Sequence, residues 1–201
     1  VLRARGELVA TILAGSWRRS VSPLQVPGAA LVEIASHLIR LGASGLAWRR
    51  LRAGGGSDSP GAVELRQAYR LQTLQARLHE RRIVQAVGRL RAAGVEPLLA
   101  KGWAAARLYP EPGLRPYGDV DLWVPPHQHA MAVAALTLPA AASCRVDLHA
   151  GFTQLDGTWD EIVERTRLAR LDDVEIRVPG AEDHLRLLCL HMLGHGAWRP
   201  V

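Results

Sequence analysis

Apolar residues return every three or four positions over 2–17 and again over 29–51, with Pro23 and Pro27 between the two runs. That period predicts helices forming a helical entry region. The stretch 54–61, Gly-Gly-Gly-Ser-Asp-Ser-Pro-Gly, then reads as a linker. It precedes a pattern over 62–93 in which Leu65, Tyr69, Leu74, Leu78, Ile83, Val87 and Leu90 share one broad side, predicting a long helix ended by Gly94. Beyond Gly94 the period shortens. The run 95–100 predicts a strand, Lys101-Gly102 a turn, 103–109 a helix, and 119–124 a short strand that Pro125 and Pro126 stop. Farther on, 126–136 predicts a helix, 143–149 alternates as a strand should, and 174–178 reads as another strand. A last helix is predicted over 181–194, with Glu182 and Asp183 in the first turn where the helix dipole favours them. The expected fold is α/β (α+β), a small mixed β-sheet core with a mostly helical N-terminal region. The expected division is 1–60, helical region and linker, and 61–201, which includes the long helix. The sequence carries no internal repeat.

The candidate chemistry is concentrated in 98–124, LLAKGWAAARLYPEPGLRPYGDVDLWV. On a strand, residues two apart point to the same face, so Asp119 and Asp121 project together while Val120 and Leu122 point into a core. Two carboxylates side by side repel unless a cation lies between them. Hard divalent ions such as magnesium or manganese take oxygen ligands of this kind and bridge them to substrate phosphates. A solvent-facing strand that carries Asp twice has the same spacing. Lys101 is the only lysine among the 25 Lys and Arg residues. A chain so biased toward Arg suggests that a lone Lys is there because a compact ammonium is wanted, phosphate contact being one such use, or it is a chance survivor among surface cations. Beside it, Gly102 lets backbone N–H groups approach an anion at a helix N-terminus. Arg115, in Gly-Leu-Arg-Pro, either forks onto phosphate oxygens or pairs with Asp119 or Asp121 to hold an empty site together. Tyr117 has two readings as well, stacking on a base or packing.

Strand, turn, helix, then Asp-x-Asp on the next strand resembles the core of the DNA polymerase beta-like nucleotidyltransferase superfamily, which usually has Gly-Ser at the turn where this chain has Lys101-Gly102. A closer similarity is to a bacterial nucleotidyltransferase-like family that reads leucines, Lys-Gly, a helix ending in Tyr, Gly-Leu-Arg-Pro, Gly-Asp and Asp-hydrophobic-Asp. This chain carries LLAKG, LY, GLRP and GDVDLWV in that order. The resemblance covers about 62–195 and is strongest over 98–124. It implies a metal-dependent nucleotidyltransferase that moves a nucleoside monophosphate from a nucleoside triphosphate, ATP foremost, to a hydroxyl-bearing acceptor. The acceptor class, whether small molecule, peptide or protein, or RNA, is not specified by it. By the same resemblance Asp119, Asp121 and Asp147 are catalytic and bind magnesium or manganese, with Asp147 the third acid, in Val-Asp-Leu-His. Lys101, Gly102 and Arg115 are then the contacts to the triphosphate. A nucleotide-binding or regulatory module without turnover would use the same residues.

Charge adds less. The net +6 is uneven, with an arginine-rich 1–95 and an acidic 96–201. A basic half attracts RNA or another polyanion, or it is a set of solvated helix faces. With only Trp17, Trp48 and Tyr69 in that half, the aromatic interleaving that stacks bases is missing. No apolar run reaches the length of a membrane span and no signal-peptide pattern opens the chain, so a cytoplasmic protein without a membrane partner is expected. Beginning at Val1 and stopping at Val201, the chain reads as a trimmed or incomplete protein. Cys144 and Cys189 lie in apolar segments without metal-ligand spacing and are expected to be buried and unpaired. His184, His191 and His195 share a helix face, and with His149 or Asp147 they make the donor set of a zinc-dependent hydrolase. However, Met192 stands where zincins place their Glu, so this helix is expected to form a wall near the nucleotide.

Overall fold

The computed structural model of the chain describes residues 2–56, 58–137 and 146–194. It divides into two compact units, one of Val1–Leu78 with Ala106–Tyr117, the other of His79–Ala105 with Gly118–Val201. The division falls inside a long helix, while the stretch read as a linker lies within the first unit.

The first unit holds α1 (Leu2–Leu13), α2 (Gly28–Arg40), α3 (Ser44–Ala53) and the beginning of α4 (Pro60–Ala92). Ile12, Leu31, Ile34, Leu38, Leu51 and Leu65 form its apolar core. The single helix expected over 29–51 is broken in two. Gly42 takes φ +67°, its N–H reaches Ile39 O, and the Ala43 N–H reaches Leu38 O, a Schellman ending that glycine enters without a Cβ penalty. Helix α1 stops at Leu13, short of the expected 17. The Arg50 guanidinium collects the carbonyls left at its end, donating to Thr11 O at 2.5 Å, Ile12 O at 3.3 Å and Ala14 O at 2.8 Å. Arg49 donates to Ser16 O, Arg18 O and Arg19 O and to the Glu111 carboxylate. Both side chains are buried, so part of the arginine surplus is internal scaffolding.

Helix α4 also departs from its pattern. Leu65, Ile83, Val87 and Leu90 are buried as expected, but Leu74 and Leu78 are 62% and 51% exposed. In the second unit the end of α4 is followed by β1 (Leu98–Ala100), α5 (Gly102–Ala106) and β2 (Val120–Val124). Then come a 3-10 turn (Pro126–Gln128), α6 (His129–Leu136) and β3 (Val146–Ala150). The start of the strand expected over 143–149 lies outside the described residues, as does Cys144. The chain continues through α7 (Trp159–Glu164), β4 (Arg167–Leu171), β5 (Val174–Val178) and α8 (Ala181–Gly194).

The five strands form one mixed sheet in the order β3-β2-β1-β5-β4, with β1 antiparallel to β2 and parallel to β5, and β2 parallel to β3. Parallel neighbours need a crossover of a dozen or so residues, and the segment containing α6 supplies it. Helix α7 and strand β4 were not expected. Thr158 caps α7 by accepting from the Glu161 N–H while the Glu161 carboxylate accepts from the Thr158 N–H, and Asp172 at φ +52° turns β4 back into β5. Among the described residues no helix is long and apolar enough to cross a membrane. Cys189 is exposed, against expectation, because α8 buries His184 and Leu187 and presents Cys189 on another side.

Candidate functional site

The site begins at a backbone anomaly. Lys101, between β1 and α5, has φ +56°, a left-handed conformation that costs a non-glycine residue about 1–3 kcal/mol. Two hydrogen bonds hold it there. Its carbonyl accepts from Ala105 N at 2.8 Å, opening α5, and its N–H donates to Nε2 of His184 at 3.2 Å. His184 projects from α8 and is buried. A glycine would take this turn without strain, so the chain spends that energy on having a side chain here.

That side chain reaches inward. Lys101 Nζ donates to Oδ1 of Asp121 at 3.0 Å and lies 5.0 Å from the centre of the Trp123 ring, with 17% of the side chain exposed. The ammonium therefore faces both a carboxylate and the negative face of an indole.

Asp121 sits on β2, opposite Ala100 of β1 and Asp147 of β3. Alternation places Asp121 and Trp123 on one face of the strand, and register places Asp147 and His149 beside them. This face carries the apolar cluster of Leu98, Ala100, Trp123, Leu155, Ile162 and Leu187, which is why Asp121 is only 5% exposed. His149 approaches the same Oδ1 with Nε2 at 3.3 Å and stacks on Trp123 at 4.3 Å between ring centres. A carboxylate only accepts, so in this contact the imidazole proton is on Nε2. Burial by itself raises the Asp121 carboxyl. Hydrogen bonds from His149 and Lys101, with the charge on Lys101, outweigh it and hold the group below the usual carboxylate range.

The stacked rings continue away from the acid, Trp123 on Phe152 at 5.1 Å and Phe152 on Trp159 at 5.8 Å. On another side Lys101 borders a cavity of about 210 Å³ that it shares with Gln154, Leu187, Leu190, His191 and Gly194.

Of the residues singled out in the sequence, Lys101 and Asp121 are in direct contact, and Asp147 is exposed on the strand next to Asp121 and level with it. Asp119 is exposed just before β2, where its charge acts on His79 of α4. Burial and Arg82 lower the His79 imidazole, and Asp119 pulls it the other way. Gly102 is buried as the first residue of α5, while Arg115 belongs to the first unit. Tyr117, also in the first unit, donates its hydroxyl to Ala76 O at 3.4 Å. Among the described residues no group of three or more His, Cys, Asp or Glu is arranged to hold a metal ion. His191 is exposed, and His195 lies outside the described residues. What the sequence did not reveal is the part played by His184 and Trp123. Spacing put His184 on a face with His191, yet its buried ring serves the Lys101 backbone.

No curated protein and no solved structure matches the chain. A protein-family model does, over residues 31–140, more than half of the 201 residues. That span takes in Lys101, Gly102, Arg115, Asp119 and Asp121 and ends before Asp147, His149 and His184. With the strand, the lysine turn, the short helix and the acid-bearing second strand all inside the match, the chain belongs to the family of uncharacterised nucleotidyltransferases.

Proposed function

We propose that the second unit transfers a nucleotidyl group from a nucleoside triphosphate, ATP foremost, to an acceptor hydroxyl. The acceptor oxygen would attack the α-phosphorus, the bond from that phosphorus to the bridging oxygen would break, and pyrophosphate would leave. The observation that carries the reading is the pairing of Asp121 with Asp147 on adjacent parallel strands beside the Lys101 turn.

Hard carboxylate oxygens at register-paired positions of strands about 4.8 Å apart in the sheet suit magnesium or manganese in donor chemistry. Asp119, Asp121 and Asp147 would hold such an ion. When bound, it would lower the pKa of the acceptor hydroxyl and offset charge on the triphosphate. The chain's own groups do the rest. Lys101 offers a compact positive charge to the phosphates, Gly102 keeps the turn beside them free of a side chain, and exposed Asp147 takes the acceptor proton. Positioning and electrostatics of this kind are the main sources of rate in phosphate chemistry. The acceptor is left open among small molecules, peptides or proteins, and RNA.

Two observations favour a second reading, a nucleotide-binding module without turnover: Asp121 is already neutralised by Lys101, and the three acids are not gathered. Triphosphates labelled at the α or the γ position separate the two. Nucleotidyl transfer moves the α label into a new product and releases the γ label in pyrophosphate. Retained labels with tight binding would establish the module, and a product carrying the γ label would overturn nucleotidyl transfer.

A further inference from the structure

Resting on the nucleotidyltransferase reading, we propose that Lys101 is a gate that makes divalent metal and triphosphate bind together. Three observations carry it. First, the Lys101 ammonium lies 3.0 Å from Asp121 Oδ1, so a divalent ion arriving alone meets an aspartate already neutralised and a cation beside it. Second, the same lysine borders the 210 Å³ cavity, so its flexible stem has a second direction in which to carry the charge. Third, its backbone is pinned by His184 and by the start of α5, so the alternatives are set by the side chain while the turn stays in place.

A triphosphate entering beside the turn competes with Asp121 for one ammonium. When the phosphates take it, the carboxylate loses its lysine counter-ion, keeps the His149 contact, and becomes available to the metal. Each ligand thereby raises the affinity for the other, and by linkage the two factors are equal. Lys101 is a positioning residue toward the metal and a direct contact toward the phosphates. This also gives a reason for lysine over glycine in a left-handed turn, since glycine would leave Asp121 Oδ1 with the His149 contact alone of the two.

The test is manganese binding without nucleotide, read from the electron paramagnetic resonance signal of free ion, on wild-type protein, Lys101→Asn and Lys101→Arg. Asn tolerates the left-handed backbone and removes the charge, whereas Arg keeps it. Lys101→Asn should bind manganese at least about tenfold more tightly than wild type, within the range of typical coupling factors, and Lys101→Arg should stay near wild type. Retention of labelled triphosphate in equilibrium dialysis, with and without magnesium, is followed in parallel. Equal manganese affinity in wild type and Lys101→Asn, with magnesium-dependent retention in wild type, overturns the gate and spares the nucleotidyltransferase reading. No manganese on Lys101→Asn and no retention of any of the four common triphosphates overturns both.

Discussion

At the scale of single residues, the account turns on Asp121. Asp119 and Asp121 stand one residue apart, and the structure places a cation from within the chain, the Lys101 ammonium, against the second of them. Removing the acid therefore leaves a largely buried ammonium without its partner. Asp121→Asn should lower the free energy of unfolding in urea by about 1–3 kcal/mol at neutral pH. The folded-state carboxyl is held below its unfolded value, so its contribution is complete above the ordinary carboxylate pKa of about 4 and fades as pH falls through the folded value. The gap between wild type and Asp121→Asn should accordingly narrow below about pH 4. A gap that persists unchanged to lower pH would mean that the ion pair is not its source. Composition alone marked Lys101 as unusual, because it is the only lysine in an arginine-rich chain. Its partners were not readable, since the contact joins β1, β2 and α8, and a left-handed lysine leaves no sign in the residue type.

At the scale of elements, the order of helices and strands around the site follows from periodicity, while several boundaries do not. The break between α2 and α3 depends on Gly42, a residue that an otherwise helical pattern conceals. Helix α7 carries a Thr158-x-x-Glu161 capping box, a local signal in the sequence that marks its start. In the Gly-Leu-Arg-Pro stretch Arg115 is the candidate phosphate contact, and the structure supplies a reason for the glycine. Gly113 has φ +80°, and a Cβ there would lie 2.6 Å from Thr73 Oγ1 and 2.9 Å from the backbone of Thr73 in α4. Backbone cannot give way as a flexible side chain can. Gly113→Ala should cost about 1–3 kcal/mol of stability by urea unfolding. A neutral substitution would show that this turn can rearrange.

At the scale of the whole molecule, charge was the weakest guide. The arginine surplus of the first half suggested a polyanion, but Arg49 and Arg50 are buried among backbone carbonyls and so say little about a partner. Family membership reaches across the compact units, since the matched residues 31–140 include much of the first and the Lys101–Asp121 turn and strand of the second. Chemistry is the more specific guide, because contacts join the lone lysine, Asp121 and the stacked His149. The most direct measurement of the central claim is the thermal midpoint of the protein with each of the four common nucleoside triphosphates, with magnesium, manganese or chelator. Ligands that bind only the folded state raise that midpoint by mass action. The account predicts a rise that needs metal and triphosphate together and disappears in the Asp119→Asn, Asp121→Asn double variant. An unchanged midpoint with every triphosphate, or the same rise in chelator, would contradict it.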